Sequence, residues 1–335
     1  MREPVPRAVA TSLAELLAGA DERVAMDKHV DSLSGSRFER VRIDGQPCVV
    51  KFLGDQHDWL ARALGDVDCW ALTMWRTGLL DALPACIDHT VLGAAREPDG
   101  TVALLMHDVS PYLVPPGQER LPLAQHRRFL DHLAQLHARF WGFDDRYGLL
   151  DPGTRYQALT PRTGEREQAR GGPVDPVPAA LVPLWEALRD AAPRVHELAL
   201  ALTDDPAPLV AALAETPATL VHGDWKAGNL GCHPDGRTIL LDWGWPGRAG
   251  PLVDIGWYLA VNCDRLPESK EDTVRAYRAA LERQGIAAAG WFDRQLELAL
   301  VGAFLQLGWS KSGPELQWWL PRVGPVAAEL LGERL

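Results

Sequence analysis

Residues 220–230 read LVHGDWKAGNL, and residues 238–244 read TILLDWG. The first opens on a short apolar strand that feeds His-Gly-Asp, and the second is an apolar strand that ends in an acid and a glycine, the pattern of brief strands delivering polar residues at their tips. The first carries His222, Gly223 and Asp224, with Asn229 five residues after Asp224; the second ends in Asp242. A His-Gly-Asp alone would read as a turn, with glycine at positive φ and the acid capping a helix. The ordered set of acid, amide and second acid asks for more. Transfer of a phosphoryl group to a hydroxyl needs one carboxylate to align the hydroxyl and take its proton, and an amide oxygen with another carboxylate to hold magnesium on the phosphates. Hard oxygen donors suit Mg²⁺, whereas thiolates or clustered histidines would suit zinc. Lys226 is placed to neutralise a moving phosphoryl group, and a solvated loop charge is its plainer reading.

The rest of the chain frames this segment. It has 335 residues, with 34 Lys and Arg against 45 Asp and Glu, a net charge of −11. Hydrophobic residues make up 47% and charged residues 24%, ordinary globular fractions that exclude collagen-like, coiled-coil and wholly disordered chains. At this length a single core is near its limit, so two lobes are expected. A pI near 5.4 argues against a nucleic-acid partner, which would need a basic face. Cys48, Cys69, Cys86, Cys232 and Cys263 form no zinc spacing, and Cys232-His233 has nothing to complete a metal shell. Free thiols in a reducing compartment follow. The first twenty residues are broken by Glu3, Pro4, Pro6 and Glu15 and do not read as a secretory leader. The longest apolar run, 298–305, is far short of the roughly 20 residues a spanning helix needs. No membrane span and a cytoplasmic location are the expectation.

Residues 37–43 alternate as a strand, Asp44-Gly45 signals a hairpin turn, and 47–53 reads as the return strand. A helix is expected over 59–76 and a short strand over 102–106. From residue 108 the pattern turns helical, with stripes over 123–141, 179–202, 271–284 and 291–309. Residues 151–178 are rich in Pro, Gly, Arg and Thr without a sustained period and read as a long connection. Strands first and helices later predict an α+β chain, with a β-rich N-lobe over 1–107 and a larger, mostly helical C-lobe over 108–335.

The H-G-D-x-x-x-x-N run followed by D-W-G resembles the catalytic and metal loops of aminoglycoside phosphotransferases and choline-kinase-like enzymes. These are small-molecule kinases with a bilobal, protein-kinase-like fold. The resemblance spans roughly residues 32–310. It implies ATP, with GTP as an alternative, together with Mg²⁺ and a small-molecule hydroxyl acceptor. It implies Asp224 as the base, assisted by Lys226, and Asn229 and Asp242 as magnesium ligands. VVK at 49–51 resembles the strand whose lysine, here Lys51, grips the nucleotide phosphates. SLSGSR at 32–37 stands where the family covers the phosphates, which implies Ser34, Gly35 and Ser36. LLMHDVS at 104–110 resembles the hinge that receives adenine, which implies backbone groups of Met106 and Asp108. LAQLHARFW at 133–141 is similar to the helix supporting the catalytic loop, and PLVDIG at 251–256 is similar to the acidic position bracing it. His222 and Asp254 are read as supporting residues. The chain departs from the family in three places. The glutamate that pairs with the strand lysine is replaced by Asp68, or else Asp66. The phosphate-covering loop lacks G-x-G-x-x-G. Lys226 stands where the aminoglycoside enzymes carry histidine.

The acceptor stays open between an amine-rich antibiotic of the aminoglycoside type and a metabolic amino alcohol or sugar. A nucleotide-binding pseudokinase is the reading from a different class, and the complete acid–amide–acid set counts against it. Of the 13 tryptophans, Trp70, Trp75, Trp257 and Trp309 fall on helical stripes and read as packing. Trp225, Trp243 and Trp245 flank the acidic positions and are the candidates for an aromatic cage around a cationic amine. Glu268, Glu271, Asp272 and Glu315 are candidates to meet a polyamine, with a solvated helix face as the simpler reading. The family contains monomers and dimers, so oligomeric state stays open.

Overall fold

The computed structural model describes residues 4–26, 36–54, 56 and 58–333. The chain forms two compact units, Met1–Gly117 with Ala227–Gly244, and Gln118–Lys226 with Trp245–Leu335.

The first unit is built on a five-stranded antiparallel sheet. Its strands run in the order Ala20–Ala25, Arg37–Ile43, Gln46–Leu53, Val102–His107, Val91–Arg96. The expected hairpin forms, with Arg37 opposite Phe52 and Ile43 opposite Gln46. Asp44 (φ 50°) and Gly45 (φ 76°) both take the left-handed conformation that a two-residue turn of this hand requires. Side chains alternate across a strand. Cys48, Val50 and Phe52 therefore enter the core with Val41, Ala103 and Leu105, while Val49 and Lys51 face the other way. Next to this sheet in sequence, the expected 59–76 helix is two helices, Trp59–Leu64 and Trp70–Arg76. Gly65 (φ 71°) closes the first in the left-handed conformation, and Asp66 accepts from the Trp70 amide at 2.9 Å to start the second. The same unit holds a small sheet of Ile87–Asp88, Thr238–Leu240 and Leu230–Cys232.

The second unit is helical. Leu123–Arg139 forms as expected, whereas the 179–202 stripe is divided between Pro176–Ala191 and Pro193–Asp204. The connection over 151–178 contains the helices Pro152–Arg155 and Pro161–Ala169. Three of the prolines that read as loop markers, Pro152, Pro161 and Pro176, occupy first helical positions, where the missing N–H costs nothing. Leu252–Val261 lies against Phe292–Leu307 so closely that a Cβ on Gly256 would come within 2.6 Å of the Ala299 carbonyl oxygen. The strand Thr219–Val221 pairs with Gly247–Ala249. Among the described residues no helix is long and apolar enough to cross a membrane.

Candidate active site

The first unit contains a cavity of about 400 Å³. Phe38, Val49 and Met106 supply apolar walls; Lys51, Asn229 and Asp242 bring the polar groups to it. Lys51 reaches it because it lies on the face of its strand opposite the core. Its ammonium, with a side chain only 8% exposed, sits 2.7 Å from Asp242 Oδ1. Asn229 stands just before the strand Leu230–Cys232 and Asp242 two residues past its neighbour Thr238–Leu240, with Leu230 opposite Leu240 and the Leu241 amide donating to the Asn229 carbonyl at 2.9 Å. Asp242 itself is a non-glycine residue at φ 62°, a strained backbone held by its surroundings.

Met106 and Asp108 also line this cavity. The Asp108 amide donates to the Pro47 carbonyl at 3.1 Å, and its carboxylate accepts from the Ser110 amide at 3.0 Å. Ser36 is buried, and Ser34 and Gly35 lie outside the described residues. Asp68 is not brought to Lys51. Its side chain is 78% exposed and sits 3.8 Å from Arg96. Asp66 is engaged with the Trp70 amide, and burial above all pushes its carboxyl up to about 7, with Asp58 and Asp68 adding to the rise. The acid that sequence reasoning missed is Asp58. It is buried at the start of Trp59–Leu64 and accepts from Leu60 N at 2.8 Å. Burial raises its carboxyl, while the Leu60 amide and the positive charge of Lys51 oppose the rise. Its position just before an apolar helix was the available signal.

In the second unit, Thr219–Val221 delivers His222, Gly223 and Asp224. Gly223 (φ 82°) permits the turn, because a Cβ there would fall 2.3 Å from the Trp245 carbonyl oxygen and 2.5 Å from Arg155 Nη1. Asp254, fully buried, accepts from the His222 amide at 2.9 Å and the Gly223 amide at 2.7 Å. His137 Nε2 lies 3.1 Å from the same carboxylate, and His137 Nδ1 lies 2.7 Å from the Tyr277 hydroxyl. Burial pushes the Asp254 carboxyl up, but the hydrogen bond and charge of His137, with His222, outweigh it and hold the group below the ordinary range. His222 is buried, and its Nδ1 accepts from the Asp224 amide at 3.2 Å.

Asp224 is therefore carried by a loop whose backbone is tied down residue by residue. Its Oδ2 sits 2.8 Å from Lys226 Nζ, and its Oδ1 accepts from Trp257 Nε1 at 2.9 Å. The expectation that Trp257 only packs is thus incomplete: its indole also touches the acid. Conversely, Trp225, Trp243 and Trp245 are 0–4% exposed and fill the interior rather than forming an open cage. The late acids are also engaged. Glu268 meets His126 and Arg127, Glu271 meets Arg322 and Trp318, Asp272 meets Arg275, and Glu315 meets Lys270 at 2.6 Å.

No curated protein matches the chain. Among the solved structures that share its fold are two with small-molecule kinase names. One is a thermostable mutant of aminoglycoside phosphotransferase APH(4)-Ia in ternary complex with ADP and hygromycin B. It has 11% identity and TM-score 0.50, over 95% of this chain and 97% of that one. The other is choline kinase LicA from Streptococcus pneumoniae, with 13% identity and TM-score 0.50 over 96% and 97%. At such identities the likeness concerns the fold alone, which is α+β and protein-kinase-like. The sequence itself matches the phosphotransferase enzyme family over residues 92–292, more than half its length, and the chain belongs to that family.

Proposed function

We propose that the protein transfers the γ-phosphoryl group of ATP to a hydroxyl of a small amine-bearing molecule of the aminoglycoside type. The observation that carries this reading is the cavity in which Lys51 and Asp242 are paired at 2.7 Å beside Asn229. Such a site offers one cation and two hard oxygen donors to a triphosphate. Among the described residues no three His, Cys, Asp or Glu side chains gather into a metal cluster. An amide and one carboxylate fit Mg²⁺, which keeps several waters and takes further oxygens from substrate phosphates. Asn229 and Asp242 would hold the ion, which when bound neutralises charge on the phosphates. Lys51 holds the nucleotide phosphates, and Met106 and Asp108, which line the same cavity, border the base.

Asp224 aligns the acceptor hydroxyl and takes its proton, and Lys226 balances the negative charge beside it. The β-rich N-lobe is the nucleotide-binding part, and the helical C-lobe carries the base and the acceptor side. The burial of Trp225, Trp243 and Trp245 supports a hydroxyl- and amine-rich acceptor over a caged quaternary ammonium. One structural neighbour, an aminoglycoside phosphotransferase, is a ternary complex with ADP and hygromycin B. A net charge of −11 favours cationic acceptors and disfavours nucleic acid. Free cysteines suit work in the cytoplasm.

The test is ADP release from Mg-ATP with a panel of aminoglycosides, amino alcohols and sugars, with Asp224→Asn measured in parallel. Stimulation by an aminoglycoside, reduced by about 10²- to 10⁴-fold in the variant, is expected. Stimulation by an amino alcohol or a sugar alone would replace the acceptor class. An Asp224→Asn enzyme with full activity would remove Asp224 as the base.

A further inference from the structure

We propose that Trp257 is a positioning residue for phosphoryl transfer, fixing the carboxylate plane of Asp224 through its indole N–H. The proposal rests on the reading of Asp224 as the base. The two oxygens of that carboxylate are held from different parts of the fold. Oδ2 is met by Lys226, two residues on, and Oδ1 by Trp257, thirty-three residues on, at 2.9 Å. A carboxylate gripped at one oxygen can still swing about its Cβ–Cγ bond; gripped at both, it has one orientation. Lys226 is a flexible donor with a side chain 24% exposed, whereas Trp257 is 5% exposed with its ring against Trp245 at 5.6 Å. The rigid half of the grip is therefore the indole.

The helix that carries it is already committed to this loop. Asp254 and Trp257 stand three residues apart on Leu252–Val261, on one face of the helix. Asp254 takes the amides of His222 and Gly223, and Trp257 reaches the side chain of the next residue. One turn of helix thus registers both backbone and carboxylate. The chemistry of the donor matters as well. An indole N–H donates and neither accepts nor titrates. It stabilises the ionised carboxylate without competing for the proton that the base must take. A hydrogen bond to the charged form favours that form.

The experiment compares wild type, Trp257→Phe and Asp224→Asn in kcat, KM for Mg-ATP and the pH profile of kcat/KM. The phenyl ring keeps most of the packing and removes the donor. Among the described residues, charged and titratable groups around Asp224 include Lys226 and His222 of its own loop, Arg155 of Pro152–Arg155 and Asp254 of Leu252–Val261, which binds the preceding amide. None of them changes in Trp257→Phe. Expected in that variant are a kcat lower by about 10- to 100-fold, the worth of a hydrogen bond to a charged group, and an acidic limb moved to higher pH. KM for Mg-ATP should hold within about twofold, because the cavity assigned to the nucleotide is lined by first-unit residues. A merely structural tryptophan would lower thermal stability and leave the acidic limb in place.

A second readout covers a Phe variant that fails to fold. In ¹⁵N-tryptophan-labelled wild type, one of the 13 indole N–H signals should move in Asp224→Asn. Trp257→Phe with wild-type kcat and an unmoved acidic limb, beside an inactive Asp224→Asn, would overturn the positioning role. So would indole signals that all ignore Asp224→Asn. An active Asp224→Asn enzyme would instead bring down the base reading beneath it.

Discussion

The contact between Lys51 and Asp242 shows how a single side chain draws meaning from its surroundings. A lysine in a strand is usually a snorkelling residue with its head in water. Here the ammonium is buried and paired at 2.7 Å, so truncation removes that pairing and the charge it brings to the cavity. Lys51→Met is expected to raise KM for Mg-ATP by about 10- to 100-fold, the scale of a lost hydrogen bond between charged groups. Steady-state kinetics at varied ATP checks it, and an unchanged KM would remove Lys51 from the nucleotide site. Asp224, Asn229, Asp242 and Lys51 stand out as candidates from their motifs alone. Asp58 and Trp257 do not. One looks like an ordinary helix cap and the other like an ordinary core tryptophan, because burial beside Lys51 and contact with Asp224 are properties of distant chain segments meeting.

At the scale of elements, the break between Trp59–Leu64 and Trp70–Arg76 was hidden in a continuous apolar stripe. Gly65 is tolerated within a helical pattern, so the stripe alone did not reveal it. The break leaves Asp66 capping the second helix from a partly buried place, with its carboxyl pushed up to about 7. An acid raised in the folded state binds its proton more tightly there than in the unfolded chain. Its contribution to stability therefore falls as pH rises from about 4 to about 7 and stays low above that. Asp66→Asn keeps an acceptor for the Trp70 amide and removes the charge. After discounting for solvent at its exposed edge, the variant should gain about 1–2 kcal/mol at pH 8, and less toward pH 5. Denaturant midpoints at the two pH values check this, and a variant no more stable than wild type at pH 8 would refute it. The prolines of 152–176 teach a related lesson: they mark helix starts as readily as loops, and only packing of the following turn distinguishes the two.

For the whole molecule, the cavity lined by first-unit residues predicts where nucleotide binding is felt. A nonhydrolysable ATP analogue with Mg²⁺, at about a hundred times its Kd, should stabilise the protein by about 2.7 kcal/mol. That is a rise of several degrees in Tm for a chain of this size. Asp224→Asn should keep the rise and Asp242→Asn should lose most of it. Thermal melting of the two variants checks this, and equal loss in both would refute the assignment.

The sequence by itself determined the α+β class, the hairpin at Asp44-Gly45, the order of the acid–amide–acid set and the family. Those properties depend on spacing along the chain, on strand and turn chemistry and on the residue types that phosphoryl transfer demands. The tertiary structure alone decided that 227–244 joins the β-rich unit, that Lys51 meets Asp242 rather than Asp68, and that Trp257 meets Asp224. Each of these depends on which buried groups remote segments bring within about 3 Å of one another, and no local period or motif encodes that distance.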